Sequence, residues 1–185
     1  MSPASEHSDP MSLVQRARDV RAPEERERLV AASLAGLPSG GDARDRALFE
    51  VALALWRNWR PEDLALTRLL VRHETQAMRR EHRCGDAPRA LCFLLHLKGE
   101  ARDATLIYEA KTSSFDAACS IEVEMLSMHR TREEMGAFLD GLALDPTVDP
   151  KWLSQLREWV LRPFDASDYE SHVSYCEGLR EYFGM

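Results

Sequence analysis

An all-α fold, built from stacked antiparallel helical hairpins in a solenoid-like array, is predicted by three features of this sequence. Helix-start signatures recur from Pro23 to Ser167. No Asn-Gly or Asp-Gly pair stands between alternating apolar runs, so the usual marks of β-hairpins are missing. The segments between breaks are evenly sized and joined by short connections, which makes neighbouring helices antiparallel.

The elements follow in order. Residues 1–10 are polar, contain Pro3 and Pro10, and are expected to be a disordered tail, with Met11 as a second candidate start. A helix over 11–20 comes next. Pro23 followed by Glu24 and Glu25 opens 23–36: proline needs no N–H at the first helical position, and acids suit the positive end of the helix dipole. PSGGD (38–42) marks a linker near 37–42, with Asp42 as the expected N-cap of 42–59. Pro61, Glu62 and Asp63 open 61–83, and Asp86 precedes Pro88 at the start of 86–98. Helices over 101–111 and 114–129 follow. Thr131 with Glu134 forms a capping box for 131–142, Asp149-Pro150 starts 150–161, and Ser167 with Glu170 is a capping box for 167–183. An offset of 31 residues places Leu95 on Leu126, Leu97 on Met128 and Ile107 on Phe138. That length suits a two-helix repeat, similar in shape to HEAT, tetratricopeptide or ankyrin arrays but without their repeat signatures. One domain over 11–185 is expected.

The composition narrows the function. The net charge of −7 argues against general binding to nucleic acid or anionic membranes. No apolar run approaches the ~18 residues of a membrane span. The first residues lack the basic start and apolar core of a secretory signal, so the four cysteines are read as reduced thiols and the setting as cytoplasmic. Arginine outnumbers lysine 21 to 3, and with 22 alanines this resembles a coding bias, which lowers the weight of any single arginine.

Residues 82–96, HRCGDAPRALCFLLH, hold His82, Cys84, Cys92 and His96, the residue types that bind zinc. Their spacing works against a shared site. His82 and Cys84 sit near the hairpin turn, whereas His96 lies ~13 Å further along its helix. Residues 90–97 are apolar around the whole circumference apart from His96, the pattern of a central buried helix. Across the hairpin His96 is expected to face the region of His73 or Glu74; Cys92 packs as a small hydrophobe, and His96 needs a hydrogen-bond partner rather than a metal. No metal site or cofactor is predicted.

Two charged surfaces stand out. Arg68, Arg72, Arg79 and Arg83 share one face of the 61–83 helix, and guanidinium groups there could take phosphates or an acidic partner. Residues 100–150 hold eleven acids against four bases. Their acidic face is expected to include Glu109, Asp116, Glu122 and Glu124, with Phe115, Cys119, Glu122, Met125 and His129 at helical spacing. His73, among leucines, is expected in the core. Trp152 and Trp159, with Tyr169, Tyr175, Tyr182 and Phe183, are expected to lock the last two helices together. Phosphate-cradling glycine loops, nucleophile elbows and kinase motifs are missing.

These features favour a non-enzymatic protein-interaction module that binds a basic protein partner, such as an adaptor or an immunity protein for a toxin. Nucleic-acid or phosphate-ligand binding by the arginine stripe is the first alternative. A metal-dependent enzyme using Glu109, Asp116 and Glu122 is the second.

Overall fold

The computed structural model describes residues 10–38, 41–165 and 172–185, and every regular element among them is helical. The helices are α1 (Pro10–Asp19), α2 (Pro23–Ala35), α3 (Gly41–Arg57), α4 (Asp63–Glu81), α5 (Asp86–Lys98), α6 (Ala104–Lys111), α7 (Phe115–Ser120), α8 (Arg132–Ala143), α9 (Pro150–Asp165) and α10 (His172–Phe183). Short 3₁₀ segments precede α6 (Ala101–Asp103) and follow α7 (Val123–Ser127). The capping box Ser167/Glu170, residues 39–40 of the expected linker and residues 1–9 of the expected tail lie outside the described residues.

Local signals set several starts. Thr131 Oγ1 accepts from Glu134 N at 3.2 Å, and Glu134 Oε2 accepts from Thr131 N at 2.8 Å, closing the predicted capping box. Asp149 Oδ1 accepts from Lys151 N at 2.8 Å at the start of α9. Asp42 differs from its expected role. It lies inside the first turn of α3, and its carboxylate pairs with Arg83 at 2.7 Å.

The single helix expected over 114–129 is also corrected. α7 stops at Ser120, Ile121 is extended (φ −85°, ψ 118°), and the chain resumes as a 3₁₀ turn. The cause is Lys111. Its buried ammonium donates to Ala118 O at 2.6 Å and to Ile121 O, occupying carbonyls that a continuing helix would bond to Glu122 N and Met125 N. Residues 115, 119, 122, 125 and 129 therefore share no helical face.

α1 packs on α3 and α3 on α5, while α2 packs on α4 and α4 on both α5 and α6. α9 lies across α6, α8 and the Val123–Ser127 segment. α5 runs through the centre: from Ala87 to His96 only Arg89 escapes full burial, as its all-round apolar character predicts. α10 returns to the first half of the chain, with the Phe183 ring 6.0 Å from Phe49 and 5.9 Å from Phe93. Among the described residues the tryptophans pack elsewhere than on α10, and Tyr169 lies outside the described residues. Trp152 meets Tyr108 edge-on at 6.1 Å and Trp159 lies 5.2 Å from Lys111 Nζ, so both pack α9 against α6.

Among the described residues four arginines make two-pronged ion pairs, and three of these pairs tie α4 to its neighbours. Arg18 holds the fully buried Asp63 at 2.7 and 2.9 Å, joining α1 to α4. Arg44 holds Glu74, joining α3 to α4, and Arg68 holds Asp103 at 2.7 and 2.8 Å, joining α4 to the turn before α6. Paired oxygens facing paired N–H groups make these the stronger class of ionic contact.

Candidate functional site

A cleft of about 660 Å³ opens between α3, α4 and the start of α5. Its floor is the Arg44–Glu74 pair, with Glu74 Oε2 3.0 Å from Arg44 Nη1. Burial pushes the Glu74 carboxyl above its usual range, and the Arg44 guanidinium opposes that shift without cancelling it. Next along α3, Asp45 turns toward α5 and accepts from Asp86 N and Ala87 N, both at 3.1 Å. α5 has no side-chain cap of its own, so Asp45 caps it from another helix. Gly85 makes room for this, because a Cβ there would overlap the Asp45 carboxylate.

Arg89, from the first turn of α5, is held by Glu122 and lies 4.7 Å over the Tyr182 ring. Tyr182 is 60% exposed at the rim and donates to Asp86 Oδ1 at 3.2 Å. The one thiol of the cleft, Cys84, is pushed up to about 12, first by burial and then by the Asp45 charge. A thiol so shifted stays protonated and is a poor nucleophile at neutral pH.

Five acids and four arginines line the cleft. Arg44, Arg83 and Arg89 are each held by a carboxylate of the chain. Arg46 has no ion pair among the described residues. Neither has Glu81, nor the exposed Asp116, whose charge reaches Cys84. The surroundings are thus acid-rich, with most of the cations already engaged.

The structure splits the predicted arginine stripe. Arg68 is bound to Asp103 and Glu100, and Arg83 to Asp42. Arg72 and Arg79 are exposed and form no ion pair among the described residues. The predicted acids are scattered too. Glu109 lies on α6 and Asp116 on α7, Glu122 is held by Arg89, and Glu124 is half-buried in the electrostatic reach of Lys111. Among the described residues, Glu109, Asp116 and Glu122 do not converge on a common point. His73 is half-buried rather than buried.

His82, Cys84, Cys92 and His96 are not gathered together. His82 ends α4 in the left-handed conformation (φ 54°) and is exposed. His96 finds its hydrogen-bond partner away from α4, with Nδ1 2.9 Å from Met125 O. Its other nitrogen faces Cys176, Nε2 to Sγ being 3.6 Å. Together with His129 these two form the one group of three potential metal ligands found among the described residues. Sequence reasoning missed it because the members lie 33 and 80 residues from His96. The only local signal was a lone polar group on an otherwise apolar helix.

Comparison with protein-family models, with curated proteins and with solved structures finds no match for this chain. Among the described residues, no helix is long and apolar enough to cross a membrane.

Proposed function

We propose that this protein is a non-enzymatic interaction module that takes a basic protein partner at the acid-rich cleft between α3, α4 and α5. The observation that carries this reading is the imbalance of free charge. Three of the four lining arginines are neutralised internally, while Glu81 and Asp116 form no ion pair among the described residues. A lysine or arginine side chain from a partner fits that deficit, and complementary charge raises on-rate and selectivity. The exposed Tyr182 adds an aromatic rim of the kind that anchors interfaces. The unreactive Cys84 and the clamped Glu74 favour binding over chemistry. Contact of α1 with α3 and of α3 with α5, and of α2 with α4 and of α4 with α6 in the same alternating way, supports the stacked-hairpin, solenoid-like reading, an architecture used for extended binding surfaces. Neutralisation of a basic toxin in the cytoplasm is one form of this function.

A second reading rests on Arg72 and Arg79, exposed two turns apart on α4 and without an ion pair among the described residues, which could take phosphates of a nucleic acid or a smaller ligand. One experiment separates the two. The tagged protein and a Glu81→Lys/Asp116→Lys variant are used to capture partners from a lysate of the source organism, with and without nuclease and at two salt concentrations. The expected result is one stoichiometric basic protein that survives nuclease, weakens with salt and is lost with the variant. A partner held equally by the variant overturns the cleft. Capture abolished by nuclease or by Arg72→Glu/Arg79→Glu moves the function to the arginines.

A further inference from the structure

We propose that His96, His129 and Cys176 form a binding site for a zinc-class divalent metal ion, with His96 Nε2, Cys176 Sγ and a ring nitrogen of His129 as ligands. One candidate ligand atom from each residue lies within 4.8 Å of the other two. The residues come from α5, from the turn after Val123–Ser127 and from α10, and none of them lines the charged cleft.

His96 is prepared for the role. A carbonyl oxygen has no proton to give, so Nδ1 must be the donor to Met125 O at 2.9 Å. The neutral ring then presents Nε2 as a lone pair, facing Cys176. Metal-bound histidines almost always anchor their second nitrogen in this way, which fixes the ring and raises its basicity.

The spacing also fits. Tetrahedral zinc, ~2.3 Å from sulfur and ~2.0 Å from nitrogen, sets two such ligands ~3.5 Å apart; Cys176 Sγ and His96 Nε2 are 3.6 Å apart. A thiol hydrogen-bonded to an imidazole has a similar separation, so the third member is what separates the two explanations. A Cys–His hydrogen bond needs no second imidazole, yet His129 brings its ring edge-on to His96 at 6.3 Å between centroids.

The backbone is distorted to bring it there. Met128 (φ 53°) and His129 (φ 51°) are consecutive left-handed residues, neither of them glycine. Met128 terminates the 3₁₀ segment, with its N–H on Met125 O, and one left-handed residue is enough for that task. The second carries a steric cost that chain termination does not explain. Strain of this kind persists where surrounding structure holds it, commonly at ligand sites. His96 and Cys176 are buried while His129 is exposed, so an ion would enter from the His129 side.

The test uses the full chain, purified without a metal-affinity tag and stripped with chelator. Zinc alone is titrated, and cobalt(II) is substituted as a spectroscopic probe. Expected are one metal per chain, a thiolate-to-cobalt charge-transfer band, and a Tm that rises with zinc. His129→Ala, at an exposed position that leaves the core intact, should weaken zinc by at least the ~100-fold that marks the upper range for losing a mere supporting contact. Cys176→Ala should abolish the charge-transfer band. Failure of the wild type to take up zinc or cobalt overturns the site. So does uptake that survives both substitutions, because the metal would then sit elsewhere. Partner capture at the cleft is unaffected by either outcome.

Discussion

At the residue scale, paired charges inside the protein are its most exacting feature. Asp63 is fully buried and depends on Arg18 and on Arg60 N for its hydrogen bonds. Arg18→Ala strands that carboxylate, and a loss of about 3 kcal/mol is expected in urea denaturation. Arg18→Met/Asp63→Leu should cost less than Arg18→Ala, because it removes both charges; a larger loss for the double variant would contradict this account. Glu74 gives a pH signature. Its folded pKa stands above the usual glutamate value of 4.5 because burial outweighs Arg44. The folded state thus holds this proton more tightly than the unfolded chain. Its contribution to stability is present below the unfolded value and is lost as pH rises through the folded one. The difference in stability between wild type and Glu74→Gln should therefore shift against the wild type as pH climbs from about 4.5. A difference independent of pH would show that Arg44 holds Glu74 at its ordinary value. None of these pairings was legible in the sequence, since Arg18, Arg44 and Arg68 reach carboxylates 45, 30 and 35 residues away. Arg68 looked like part of a free stripe, and only its neighbours across the fold show that it is engaged.

At the scale of elements, what was local was readable. Thr131 and Glu134 are three residues apart, and Asp149 caps the helix beginning beside it, so their chemistry is written in adjacent positions. The break after Ser120 was hidden for the opposite reason. It depends on Lys111, on the preceding helix, reaching the carbonyls of Ala118 and Ile121. Lys111→Met keeps much of the apolar stem and removes both bonds. About 2 kcal/mol of stability should go with it, the scale for hydrogen bonds from a charged donor. Trp159 fluorescence should change too, because the ammonium lies 5.2 Å from that ring. Unaltered stability would mean that α7 ends at Ser120 without help from Lys111.

At the scale of the molecule, the helical class was legible because evenly spaced starts and an all-round apolar α5 leave few alternatives. The cleft and the His96–His129–Cys176 cluster were not, since both arise where distant helices meet. Charge is unevenly spread along the chain. Residues 100–185 carry 17 acids and 8 bases, while residues 1–99 carry 14 and 16. The cap on α5 bears on the order of assembly. The most buried helix borrows its N-terminal acceptor from Asp45, 41 residues back from Asp86. It cannot be completed until α3 has docked. Asp45→Ala should accordingly slow folding more than it speeds unfolding in stopped-flow measurements, and the reverse pattern would mean that α5 matures first. A chain that begins only after α3 keeps its most apolar stretch, residues 90–97, without the helix that covers it, so its fate is aggregation rather than a smaller fold.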